Sequence, residues 1–159
     1  MEPIIFLDID GVLNTVPPQL PIDPEKVRLL ARIVHATGAK IILHSGWRVW
    51  FNGNMQPTCE EASALVSLLA AQGLVFSGMT PDLTDEEIRR TKKFSLVKAR
   101  EILAWLAAHP GVQRWAVLDD LDLHNDVVAD HQVTPISSLG LTEQDVSAAI
   151  RMLQGGTYD

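Results

Sequence analysis

The sequence predicts an α/β fold, with a central parallel sheet of about five strands between two layers of helices. Three observations predict it. Apolar runs of strand length (Ile4-Ile5-Phe6-Leu7, Ile41-Ile42-Leu43 and Trp115-Ala116-Val117-Leu118) carry no polar alternation, as in strands buried on both faces. Amphipathic stretches of helical spacing lie between these runs, so strands and helices alternate. Polar residues follow directly on the ends of the same runs: Asp8 and Asp10, His44 and Ser45, Asp119 and Asp120.

The elements follow in order. Ile4-Ile5-Phe6-Leu7 is the first strand, closed by Asp8-Ile9-Asp10-Gly11. Pro17, Pro18, Pro21 and Pro24 make the next segment an irregular loop. Asp23 is placed to cap a helix with Pro24 at its first position, Val27, Leu30, Ala31 and Val34 on its inner face, and Gly38 at its end. A second strand, residues 40–43, runs into His44-Ser45-Gly46 and a loop bearing Trp47, Trp50 and Phe51. Thr58 and Glu61 have capping-box spacing before a helix that turns Ala62, Leu65, Val66 and Leu69 inward and stops at Gly73. Leu74-Val75-Phe76 reads as a third strand, and residues 79–93 as a polar loop with one helical turn near 85–89. Ser95 is placed to cap a helix burying Leu96, Ala99, Ile102, Leu103 and Leu106. Residues 115–118 are the fourth strand, and Val127-Val128 with Gln132-Val133-Thr134 supply a fifth. Thr142 and Asp145 cap a last helix with Val146, Ala149, Ile150 and Leu153 inside. The expected organisation is one domain over residues 1–155 and a tail over 156–159.

The chain has 159 residues, enough for one domain with a real core. Hydrophobic residues make up 47% and charged residues 21%, which excludes disorder as the general state. No apolar stretch is long enough to span a membrane. The chain enters a strand almost at once, without a basic leader, and Cys59 is its one cysteine, so a reducing, cytoplasmic setting is expected. The net charge of −7 argues against coating nucleic acid by bulk attraction. Six of the 13 basic residues nevertheless fall within residues 89–100, a local patch that keeps an anionic ligand in play.

In a parallel sheet all carboxyl ends share one edge, where open α/β sheets bind ligands. That edge gathers Asp8, Asp10, Ser45, Asp119 and Asp120. Converging carboxylates repel one another and call for a cation. Hard oxygen ligands without a Cys or His cluster point to Mg2+, since the five histidines lack the paired spacing of a zinc site. Mg2+ beside an aspartate suits phosphoryl transfer: one carboxylate attacks phosphorus, and a second protonates the leaving oxygen and then activates water. Ser45 can bond a phosphate oxygen, and a lysine would balance the charge. Lys98, in the first turn of its helix, is the candidate for that lysine, with Lys92 and Lys93 as alternatives.

These residues resemble the motifs of the haloacid dehalogenase (HAD) superfamily of aspartate-nucleophile phosphatases. Asp8-Ile9-Asp10-Gly11-Val12 is similar to its first motif, Leu43-His44-Ser45 to the second, Lys98 to the third and Val117-Leu118-Asp119-Asp120 to the fourth, in order over about residues 4–120. Ser45-Gly46-Trp47-Arg48 and the helix holding Glu101, Ile102, Trp105 and Leu106 resemble a small capless branch, the HAD domains of RNA-repair-like proteins. The resemblance implies a three-layer, Rossmann-like fold without a separate cap domain. It implies Asp8 as nucleophile and metal ligand, and Asp10 as general acid/base that also meets the metal through its carbonyl. Asp119 and Asp120 would bind Mg2+ directly or through water. Ser45 and Lys98 would hold the phosphate, with Gly11, Gly46 and Arg48 beside them; Arg48 is taken as a second phosphate contact ahead of the other reading, an ordinary surface ion-pair partner.

The expected activity is Mg2+-dependent hydrolysis of a phosphomonoester through an aspartyl-phosphate on Asp8. The alternatives are processing of phosphorylated nucleic-acid ends, and a non-catalytic phosphate- or partner-binding module on the same fold. An open site can serve bulky substrates or borrow a lid from a partner chain, so an oligomer is left open. Trp47 and Trp50 either stack on a base or sugar or seal the core beneath their loop. His44 reads as a satisfied buried histidine.

Overall fold

The computed structural model describes residues 1–155; the expected tail at 156–159 lies outside the described residues. Five strands form one parallel sheet: β1 (Ile4–Leu7), β2 (Lys40–Leu43), β3 (Phe76–Met79), β4 (Trp115–Leu118) and β5 (Gln132–Val133). Their order is β3-β2-β1-β4-β5. The helices are α1 (Pro24–Thr37), α2 (Glu60–Ala71), α3 (Glu86–Thr91), α4 (Ser95–Ala107), α5 (Asp126–Ala129) and α6 (Glu143–Leu153), with a 3-10 turn at Gly46–Trp50.

Strand alternation divides the core in two. Ile5, Leu7, Ile41, Leu43, Ala116 and Leu118 point to one face, where they meet residues of α1, α2 and α6. Ile4, Phe6, Ile42, Trp115 and Val117 point to the other, against Ala99 and Ile102 of α4 and Val128 of α5. Residues buried on both faces explain the unbroken apolar runs, and the result is the expected three-layer α/β/α fold. Asp23 caps α1 by accepting from the Glu25 N–H, and Gly38 ends it at φ 72°. Thr142 and Asp145 form the expected capping box on α6.

Five local expectations are corrected. Leu74-Val75 is not strand: the Leu74 N–H bonds to Leu69 O, which ties it to the end of α2, and Val75 is 70% exposed. The strand therefore starts at Phe76. Cys59, not Thr58, precedes α2, and its side chain makes no cap bond. Val127-Val128 is helical rather than extended, because Asn125 Oδ1 accepts from the Val128 N–H and starts α5. Ser95 is the first residue of α4, after Phe94, and makes no cap. The inner face of α4 is also rotated: Leu96 is 49% exposed, whereas Val97, Lys98, Glu101 and Ile102 are buried. Leu103 and Leu106 pack only at its margin.

The sheet order sets the position of the site. From β1 the chain goes outward to β2 and β3, then returns to place β4 on the other side of β1. The crevice beyond the carboxyl ends at such a reversal is the ligand position of open α/β sheets. Leu7 lies level with both Leu43 and Leu118, so Asp8, His44 and Asp119 leave the sheet at one height. The ladder continues into these residues: Asp8 N–H bonds to Leu118 O at 2.9 Å, and His44 N–H to Leu7 O at 2.8 Å.

Candidate active site

At that edge Asp8, Asp119 and Asp120 each present a carboxylate oxygen, all within 4.8 Å of one another. Asp8 and Asp119 are buried. Lys98 reaches them from α4, with Nζ 2.6 Å from Asp119 Oδ2 and 3.5 Å from Asp8 Oδ2. Neither Lys92 nor Lys93 is among the residues lining the cleft. When ionised, three carboxylates beside one ammonium leave two negative charges in excess.

The protonation equilibria carry the same strain. Burial pushes the Asp8 carboxyl well above the usual range; Lys98 opposes the shift, and Asp119 and Asp120 add to it. Asp119 is also raised by burial, although its contact with Lys98 works against this. A carboxylate paired with lysine ordinarily moves down, so desolvation wins here. Burial pulls the Lys98 ammonium down, but Asp8, Asp119 and Asp120 more than offset it, and its pKa lies above the ordinary value. Lys98 therefore stays charged. A divalent cation fits this group: the donors are all hard oxygens, and it would supply the charge that Lys98 leaves uncompensated.

Gly11 makes the close packing feasible. Its φ is +83°, and a Cβ there would lie 2.2 Å from Asp120 Oδ2. Its N–H is taken up by Asn14 Oδ1 at 2.8 Å. Asp120 Oδ2 also accepts from Ser137 Oγ at 2.5 Å. Asp119 Oδ1 accepts from the Leu121 N–H at 2.9 Å.

The acids open into a cleft of about 700 Å3 lined by Asp8, Asp10, Ser45, Gly46, Arg48, Lys98 and Asp120, among others. Its outer wall comprises Val16 and Gln19 from the proline loop, Trp47, Val49 and Trp50, and Arg89 and Phe94 from the segment before α4. Ser45 Oγ accepts from the Trp47 N–H at 3.1 Å, which leaves its hydroxyl proton for a ligand. Beside Gly46 the space that a Cβ would fill is open. Trp47 is both packing and cleft wall: it is buried and meets Trp50 edge to face.

Arg48 lines the cleft but directs its guanidinium into the protein. Nη1 donates to Thr80 Oγ1 at 2.8 Å and to Pro81 O at 2.9 Å, and Nη2 meets Glu101 Oε2 at 3.1 Å. Of the two roles open to it in the sequence, the ion pair is the one seen. Glu101, fully buried, also accepts from the Leu83 N–H at 2.9 Å. The pair thus pins the segment after β3 to α4. Because arginine only donates, Thr80 Oγ1 is free to donate in turn to His44 Nδ1, 2.8 Å away. Among the described residues His44 Nε2 has no partner, so this histidine is half satisfied rather than fully satisfied as expected. Burial, then the Lys98 and Arg48 charges, hold His44 well below its ordinary pKa and keep it neutral.

Residues 4–146 match the family described as the HAD domain in Swiss Army Knife RNA repair proteins. The chain belongs to this HAD family. No curated protein and no solved structure matches it. Membership identifies a HAD domain of general hydrolase or phosphatase type, in a superfamily that typically uses a metal ion. The acidic group of this HAD domain is one that could hold it. Among the described residues no helix is long and apolar enough to cross a membrane. Sequence reading assigned no role to Asn14 and Gln19, which no motif announces, and named Glu101 as part of a motif without its partner Arg48.

Proposed function

We propose that this HAD domain, taken as one unit over residues 1–155, is a Mg2+-dependent phosphomonoester hydrolase. The observation that carries the reading is the convergence of Asp8, Asp119 and Asp120, with the Lys98 ammonium against the first two and Ser45 in the same cleft. Asp8, Asp119 and Asp120, with the Asp10 carbonyl, would hold the ion, which would neutralise phosphate charge and orient the group. Ser45 and Lys98 bind the phosphoryl oxygens, and the Gly46 backbone leaves room for them. Asp8 attacks phosphorus to give an aspartyl-phosphate. Asp10 gives a proton to the leaving oxygen, then takes one from the water that hydrolyses the intermediate.

The cleft is read as capless. The 34 residues between Asp10 and Ser45 are occupied by the proline loop, α1 and β2, and the 52 between Ser45 and Lys98 by the 3-10 turn, α2, β3 and α3. Release of phosphate from p-nitrophenyl phosphate tests the reading. Activity should require Mg2+, disappear with EDTA and disappear in Asp8→Asn; activity that survives either treatment contradicts it.

A second reading narrows the substrate to phosphorylated RNA or DNA ends. It is favoured by the family description and by a cleft wall of Trp47, Trp50 and Phe94 beside Arg89, suited to stacking on a base next to an anionic backbone. The test is a panel of oligonucleotides bearing 3′- or 5′-phosphates. A preference over sugar phosphates supports end processing, and no preference removes it.

A further inference from the structure

The Asp10 carboxylate is held by three N–H groups from separate parts of the chain. Asn14 Nδ2 and Gln19 Nε2 both donate to Oδ1, each at 2.9 Å. Trp47 Nε1 donates to Oδ2 at 3.0 Å. A carboxylate offers about four lone-pair sites, two on each oxygen. Oδ1 therefore has both of its sites filled, and Oδ2 has one left. We infer that Trp47 is the positioning residue for Asp10, and that Oδ2 is the atom through which Asp10 passes its proton.

Trp47 is suited to this work. The indole N–H only donates, so it orients the carboxylate without competing for the proton. The ring is fixed on two sides: it is buried and packs edge to face on Trp50, with centroids 4.9 Å apart. Its backbone N–H donates to Ser45 Oγ, so one residue registers Asp10 against the serine proposed to hold phosphate. Asp10 and Trp47 both line the cleft, on the side open to a substrate.

The inference rests on the proposed role of Asp10 as acid and base. As a bond forms between an Asp8 oxygen and phosphorus, the bond from phosphorus to the leaving oxygen breaks and its electron pair stays on that oxygen. The Asp10 Oδ2 proton moves to it. In the second half, water oxygen bonds to phosphorus and a water proton returns to Oδ2. The bond from phosphorus to Asp8 breaks, and its pair restores the Asp8 carboxylate.

The test exploits the leaving group. p-Nitrophenolate departs without a proton, whereas the alkoxide of ethyl phosphate needs one. Wild-type hydrolysis of p-nitrophenyl phosphate, abolished by Asp8→Asn, is established first; its absence would refute the proposed function and, with it, this inference. With that activity in hand, Trp47→Phe keeps the ring and removes the N–H. It should lower kcat/KM on ethyl phosphate about tenfold or more, the effect of losing one hydrogen bond to a charged group. The loss of kcat/KM on p-nitrophenyl phosphate should stay within about twofold, because that leaving group draws little on acid catalysis and kcat/KM does not report the later hydrolysis that both substrates share. Equal losses on both substrates would make Trp47 mere packing and overturn the inference while leaving the proposed function intact. If Trp47→Phe fails to fold, Gln19→Leu reads the same assignment from the other oxygen. Small, equal effects support Oδ2, and a loss confined to ethyl phosphate moves the proton to Oδ1 and overturns it.

Discussion

Replacing Lys98 with methionine removes the one ammonium that, among the described residues, lies within 3.5 Å of the buried acids, while nearly preserving side-chain volume. Its contacts with Asp119 and Asp8, at 2.6 and 3.5 Å, are worth about 5–6 kcal/mol each at an effective dielectric near 20, before desolvation is subtracted. Breaking one side of a buried pair usually costs about 3–5 kcal/mol, because the remaining charge is left uncompensated. At about 2–4 °C per kcal/mol for a chain of this size, Tm of the metal-free protein should fall by about 6–20 °C. The raised Asp8 and Asp119 equilibria sharpen the expectation. Without Lys98 both should rise further, so the loss should be greatest at neutral pH and shrink as the medium is acidified and the acids take up protons. Mg2+ should restore more stability to Lys98→Met than to the wild type, where saturation at a hundred times Kd contributes about 2.7 kcal/mol. Thermal melts with EDTA and with Mg2+ read both effects. A fall of less than about 3 °C in EDTA, or no larger response to Mg2+ in the variant, would refute Lys98 as counter-ion of the acidic group.

Three further outcomes are expected. Gly11→Ala should cost at least about 1–2 kcal/mol from its left-handed backbone alone. It should also weaken Mg2+ binding by titration calorimetry, because the new Cβ displaces Asp120. Glu101→Leu should destabilise by about 3–5 kcal/mol in urea by stranding the Arg48 charge, and the double variant Arg48→Met/Glu101→Leu should recover much of that loss. His44 is held neutral in the folded protein while the unfolded chain binds a proton near pH 6.5, so the unfolded state takes up more protons as pH falls. Stability should therefore drop below about pH 6.5, by at most about 1.4 kcal/mol per pH unit from this group, and the difference between wild type and His44→Asn in urea midpoints isolates it.

The sheet was legible because strands buried on both faces leave unbroken apolar runs, and because Asp8, His44 and Asp119 follow those runs directly. Lys98 was legible as a candidate in the first turn of its helix, but its burial was not. Periodicity assumes that buried positions are apolar, and α4 buries Lys98 and Glu101 while exposing Leu96. Those two charges are inside because their partners, Asp119 and Arg48, come from other elements 21 and 53 residues away. The Asp10 cradle was hidden for a similar reason: Asn14 and Gln19 look like ordinary loop residues, and Trp47 like ordinary core. At Leu74 a helix-ending hydrogen bond outweighed an apolar run too short to identify a strand by itself.

The central claim is that Asp8 becomes covalently phosphorylated. Rapid acid quenching during turnover of a phosphomonoester with Mg2+, followed by peptide mass spectrometry, tests it directly. The expected result is a phosphoryl adduct on Asp8 that appears before free phosphate and is absent from Asp8→Asn. Steady turnover with no adduct on Asp8, or an adduct on another residue, would contradict the account.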